Sequence, residues 1–291
     1  MIRWPLSIVC FLTVLPLSRA DVMILPPGIE RIAQADAVIV GKVVAIEPQD
    51  IDVPVAAGSA TTFKFRVAVV QVGETILGNK EAKTVRVGFV PRGERNNPIG
   101  FGKCPELNFN LEVGKQGLMF LRMHQGGKIL YGRLFHDFVS QDTDATAKPP
   151  SGRPPALSFA EELKKTRHIC KLVESPQESL KAKDPLDRYL AAAALVMRYR
   201  TLRVANQKTE LISVEETRRI LDSLLAQDWK AASLTPTPWN CFLMLGLTEK
   251  DGWKAPAQIN DINDVRTAVQ TWYRAHGQNY RIQRFINEAA K

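Results

Sequence analysis

Cysteine is scarce in this chain, with four among 291 residues at positions 10, 104, 170 and 241. That excludes a disulfide-stapled fold, because such scaffolds are short and dense in cysteine. Histidine is as rare: His124, His136, His168 and His276 are the full set, and no two stand at a spacing that grips a metal ion from one helix or strand. Ser-x-x-Lys, Gly-x-Ser-x-Gly and His-Glu-x-x-His patterns are absent, which removes several hydrolase classes. The apolar run from Ile8 to Leu17 is about half of the ~20 residues a spanning helix needs, and no later stretch reaches that length. No Asn-x-Ser/Thr acceptor occurs, which fits a bacterial cell envelope.

What is present begins with an export signal. Residues 1–20 place Arg3 before the apolar run and Ser18 and Ala20 at the small positions a signal peptidase reads, so the mature chain is expected to start at Asp21 and to be secreted or periplasmic, with no transmembrane segment. Cys10 follows Val9 where a lipoprotein signal has a small residue, so lipidation is not expected. Losing Arg3 and Arg19, with no acidic side chain among residues 1–20, takes the formal charge from +9 to +7. A basic exported protein favours acidic partners, although a solvated basic surface is the plainer meaning of such a charge. The three mature cysteines are an odd number, so at least one thiol lacks an intramolecular partner.

Residues 21–140 read as strands. "DAVIVGKVVAI" is apolar on both alternating faces apart from Lys42, whereas "TFKFRVAVV" sets Phe63, Phe65, Val67 and Val69 on one face against Lys64 and Arg66 on the other. "KTVRVGFV", "GLMFLRM" and "KILYGRLFHDFV" follow, giving five strands, a number and spacing suited to a small closed barrel or sandwich. Residues 141–157, "QDTDATAKPPSGRPPAL", form a Pro-rich linker. From residue 158 to 291 the period becomes helical, with starts at Ser158, Asp184, Ser213, Thr237 and Asp261 and a last helix over "YRIQRFINEAA". The expected architecture is two-domain, β then α: a five-stranded barrel, then an all-helical bundle or stacked helical hairpins.

The order "ADAVIVGKV", "FKFRVAVVQVGETILGN", then Cys104 and "LEVGKQGLMFL" resembles the netrin-like domain shared with tissue inhibitors of metalloproteinases, over residues 30–125. The resemblance implies an OB-type barrel. "DPLDRYLAAAALV" resembles a HEAT-like repeat, without a second good copy. In the metalloproteinase inhibitors an N-terminal cysteine chelates the protease zinc; here Asp21 stands at the predicted mature end and no cysteine occurs between it and Cys104, so the inhibitory residue does not carry over.

Chemical candidates are few. The loop "PRGERNNPIGFGKC" brings Arg92, Arg95 and Lys103 together between strands as a partner-binding candidate, but Asn97 and Cys104 break the phosphate-loop pattern. Cys104 beside Lys103 is a candidate free, reactive thiol. Cys170 and Cys241 fall on apolar helical faces and are expected either as buried thiols or as one disulfide. His136 and Asp137, as strand neighbours, point to opposite faces and cannot act jointly. "NDIND" reads as helix capping rather than a calcium loop, and Trp229, Trp239, Trp253 and Trp272 read as helical core. No catalytic set, metal or cofactor is expected. The sequence-level expectation is a non-enzymatic, exported binding protein whose partner is another envelope or extracellular protein. An acidic polymer bound by the barrel is the alternative, and a cysteine- or metal-dependent enzyme or a protease inhibitor stands behind both. Nucleic acid is not expected, because Phe63 and Phe65 alternate with Lys64 and Arg66 and so cannot share a stacking face with them.

Overall fold

A strand that is apolar on both faces must be covered on both sides, and two such strands organise this architecture. The computed structural model describes residues 28–54, 60–90, 110–124, 129–132, 137–142, 157–202, 207–230, 236–256 and 258–286. Helix α1 (Gly28–Gln34) comes first. It is followed by β1 (Ala37–Ile46), β2 (Ile51–Pro54), the long β3 (Thr62–Leu77), β4 (Thr84–Phe89), β5 (Gln116–His124), β6 (Ile129–Tyr131) and β7 (Phe138–Ser140). Strands pair in the order β1-β3-β4-β6-β5, and β5 returns to β1, so five strands close into a barrel. Strands β2 and β7 are added against β3 and β5. Every barrel pairing is antiparallel except that of β4 with β6, which is parallel.

The later elements are α2 (Phe159–Glu174), α3 (Pro176–Ser179), α4 (Pro185–Arg200), α5 (Val214–Leu225), α6 (Pro238–Leu245) and α7 (Ile262–His276). A 3-10 turn at Glu249–Asp251 and an antiparallel ladder of β8 (Thr209–Leu211) with β9 (Gln283–Phe285) complete them. Helix starts follow from capping chemistry. Ser158 and Glu161 bond reciprocally at the head of α2, Asp184 accepts from the Leu186 N–H ahead of α4, Ser213 opens α5, and Thr237 with Pro238 opens α6. Among the described residues, no helix is long and apolar enough to cross a membrane.

Alternation along β1 and β5 divides their side chains between two cores. Ala37, Ile39, Met119 and Leu121 fill the barrel with Val43, Val70, Val87 and Phe89. On the opposite faces, Val38, Leu118 and Phe120 join a larger core with Ile29 and Ile32 of α1, Ile169 and Val173 of α2, and residues 191–196 of α4. Helix α4 packs against α1, α2, α3, α5 and α6, and its run of alanines lets these neighbours come close. Val38, Leu118 and Phe120 are essentially buried; side chains of this size contribute roughly 1.5–3 kcal/mol each when buried. Where β1 meets β5, Gly41 faces Gly117. A Cβ on Gly117 would lie 2.3 Å from the Val139 carbonyl oxygen of β7, and one on Gly41 would lie 2.5 Å from Val70 Cγ1 of β3, so both glycines let a neighbouring strand approach closely.

An ion pair sits at the same seam. Arg31 of α1 donates to Glu162 of α2, each side chain being only 11% exposed. The Arg31 guanidinium also lies 4.4 Å from the centroid of the Phe120 ring. At the rim, Arg167 of α2 grips Glu74 of β3 through both carboxylate oxygens at 2.9 and 2.7 Å, and this holds the Glu74 carboxyl below its usual range.

The structure departs from sequence expectation in several places. Helix α1 was not foreseen, although Ile29, Ile32 and Ala33 share one helical face. Phe65, Val67 and Val69 do share one face of β3, with Val69 half-buried, but the opposite face is not polar throughout, because Ala68 and Val70 on it are buried too. The two faces serve different cores: Phe65 and Val67 pack with Val53 of β2 and Ile129 of β6, whereas Ala68 and Val70 line the barrel with Val87 and Phe89. The run "KILYGRLFHDFV" supplies two strands, β6 and β7, with different partners. In place of the expected last helix, residues 283–285 form β9, so the helical region also carries a small sheet. Ile282 is fully buried, its N–H donates to Thr217 Oγ1 at 3.2 Å and its carbonyl accepts from Ile212 at 3.0 Å; these long-range bonds outweigh local helical propensity. Most of the expected linker, residues 143–156, lies outside the described residues.

Glu162→Gln removes one charge of the buried pair while keeping its shape, and is expected to destabilise the protein by about 2–4 kcal/mol in urea unfolding. Glu47→Gln at the exposed Arg86 pair is expected to cost less than about 1 kcal/mol. Equal effects would remove the special role assigned to the seam.

Candidate functional site

Several chain ends converge on the side of the helical region that carries β8 and β9. Helix α6 stops at Gly246, whose φ of 67° is left-handed and therefore favours glycine. The 3-10 turn follows, capped by Thr248 and Asp251. The turn after α7, the last residue of α4 and the ladder β8–β9 close the ring, and among them lies a cavity of about 520 Å³ open to solvent.

Its polar lining is built around two arginines. Arg200, at the end of α4, donates from Nε to the Met244 carbonyl at 3.0 Å and from Nη1 to the Gln283 carbonyl at 3.3 Å. Met244 is in the last turn of α6, where carbonyls have no helical partner. A Cβ at Gly246 would lie 3.1 Å from Arg200 Nη2, so the missing side chain makes room for the guanidinium. Arg281 donates from Nε to the Ile212 carbonyl at 2.7 Å and from Nη2 to the Leu211 carbonyl at 2.9 Å. Lys250 adds a third cation. The one carboxylate in the lining, Asp251, accepts from the Thr248 N–H at 2.9 Å and hydroxyl at 2.8 Å. Its backbone carbonyl accepts from Trp272 Nε1 at 2.8 Å. Burial, followed by the charge of Asp251, pushes the Tyr280 phenol up to about 12, so at neutral pH it is a hydroxyl. Leu211, Leu245 and the Tyr280 ring give the cavity an apolar side.

The residues singled out in the sequence are distributed differently. Arg92, Arg95, Lys103 and Cys104 lie outside the described residues, as do Asp21 and His136. Asp137 is buried. Cys170 on α2 and Cys241 on α6 are free, buried thiols, so of the two alternatives left open for them the disulfide is not the one formed. Burial pushes both up to about 12, with the charge of Glu174 adding to the effect at Cys170. Asp261 and Asp264 of "NDIND" form a capping box on α7. Trp229 and Trp272 are core residues, with Trp239 and Trp253 packed at the edge of that core. His124 meets the Phe65 and Tyr131 rings edge-on, and burial lowers its pKa. Among the described residues, no group of three His, Cys, Asp or Glu side chains is placed to hold a metal ion.

Compared with models of known protein families and with curated proteins, the chain matches none. The cavity is not legible in the sequence because its residues come from four separate segments, and because the sequence reading places Tyr280 and Arg281 in a helix. The usable signal is short: Tyr280 and Ile282 alternate with Arg281 and Gln283.

With Cys104 changed to Ser, the mature chain (residues 21–291) is expected to show no reaction with a thiol reagent at neutral pH when folded and to react at both remaining thiols in denaturant. A folded thiol that reacts as fast as a denatured one would contradict their placement. Unfolding returns each thiol from about 12 to the ordinary ~8.5. The unfolded state therefore loses protons first, and stability should fall as pH rises through that interval. The check is the urea midpoint across alkaline pH; a midpoint unchanged up to pH ~11 would contradict the burial of these thiols.

Proposed function

We propose that this chain is an exported, non-enzymatic binding protein whose principal recognition site is the cavity between α4, α6, α7 and the β8–β9 ladder. One observation carries the proposal: side chains and backbone from distant segments are fixed around an open cavity of about 520 Å³, a size typical of ligand sites. Two of the ionisable groups that line it with Arg200, Lys250, His276 and Arg281 favour holding over turnover. Tyr280 stays protonated at neutral pH, and Asp251 is committed to capping. Export rests on the leader in residues 1–20, and an envelope or extracellular protein as a further partner remains part of the reading.

We also propose that the barrel is of the OB type, which its strand order and single parallel pairing support. The packing of five helices on α4 favours a bundle over stacked HEAT-like hairpins. Polyanion binding along the barrel is the weaker alternative: Arg66 and Arg86 on its surface already meet Asp50 and Glu47.

The test is thermal unfolding of the mature chain against a panel of charged and uncharged small molecules. At least one compound is expected to raise the midpoint, since a ligand at a hundred times its Kd adds about 2.7 kcal/mol. Asn279→Trp, which fills the cavity from an exposed position, is expected to abolish that shift while leaving the unliganded midpoint in place. A shift that survives Asn279→Trp, or chemical conversion of the bound compound, counts against the proposal.

A further inference from the structure

We propose that the cavity selects a small anionic molecule, a carboxylate or phosphate monoester carried on an apolar body. This rests on the reading of the cavity as the binding site and adds the chemistry of what enters it. Three cations line the cavity, Arg200, Lys250 and Arg281, beside His276 and against one carboxylate, Asp251, so the lining is positive on balance.

The partners of the two arginines give the charge its significance. Arg86, Arg167 and Arg284 elsewhere on the surface each meet a carboxylate, which cancels their charge. Arg200 and Arg281 are instead held by backbone carbonyls, which are neutral. These bonds fix the planes of the guanidinium groups without neutralising them, and each group has five N–H donors of which two are so used. A fixed guanidinium presents a fork that matches a carboxylate or phosphate, and little side-chain entropy remains to be lost on binding. The same bonds tie α4 to α6 and β9, and the segment after α7 to β8, so a structural duty explains where the arginines are. It does not explain why Lys250 and two arginines that form no ion pair among the described residues face one cavity with a single carboxylate.

The volume sets the rest of the ligand. A bare ion would leave most of about 520 Å³ unfilled, whereas Leu211, Leu245 and the Tyr280 ring offer an apolar surface for a body of drug-like size. The Tyr280 hydroxyl, a donor at neutral pH, suits an acceptor at the junction of head and body.

The experiment titrates the mature chain by calorimetry with three probes that share one ring system: 1-naphthyl phosphate, 1-naphthoate and the uncharged 1-naphthol. Both anions are expected to bind at one site, roughly tenfold or more tighter than naphthol, with an affinity that weakens as salt is added. The phosphate and carboxylate arms identify which head is preferred. Lys250→Glu, on an exposed 3-10 turn, is expected to lower anion affinity roughly tenfold without changing thermal stability. If naphthol binds as well as the anions and Asn279→Trp blocks all three, the cavity is a binding site but selection for charge is wrong. If none binds at roughly 1 mM, or the anions bind Lys250→Glu undiminished, anion selection is overturned. Ligands found in the thermal panel that are displaced by none of the probes would overturn it while leaving the binding-site reading intact.

Discussion

Strands β1 and β5 carry large apolar side chains on both faces, and neither face tolerates water. Inside the barrel the demand is met by Val70, Val87 and Phe89. Outside, it is met by a helix that precedes the barrel in sequence and by two that follow it. Helix α1 is the wedge: its apolar side enters the shared core, while Arg31 reaches Glu162 on α2 and lies over Phe120 on β5. A buried ion pair is weak evidence for stability by itself. Here its contribution is geometric, because it fixes three elements against one another where hydrophobic contact alone leaves the angle free.

The consequence extends to the cavity. Helix α4 runs from the shared core, where Tyr189 and residues 191–196 are buried, to Arg200 at the cavity wall. The same rigid rod therefore bears on α1 at one part of its length and places a guanidinium at its end. Arg200 and Arg281 each satisfy carbonyls at the ends of neighbouring elements, so the hydrogen-bond demand of terminating helices and short strands builds the polar lining. A site made in this way needs no dedicated loop and moves only with the body that carries it.

Much of the scaffold was legible in the chain itself, for physical reasons. Capping pairs such as Ser158 with Glu161 are local, and local rules place helix starts well. The double-faced texture of "DAVIVGKVVAI" was visible too, and it has a definite meaning here: one face for the barrel, one for the helices. What could not be read depended on contacts between distant residues. The burial of β3 on both faces depends on β2 and β6 covering Phe65 and Val67, and β9 exists because Ile282 is bonded to Thr217 and Ile212. The candidate site falls in the same class. Arg200, at the end of a helix, resembles an ordinary C-terminal cation until the ladder is folded against it, and only then does its charge line a cavity.

The central claim is that barrel and helices are one cooperative body joined through the faces of β1 and β5. The most direct test is differential scanning calorimetry of the mature chain. One transition, with its calorimetric and van't Hoff enthalpies equal, is the predicted result. Two separable transitions, one for the barrel and one for the helices, would contradict it.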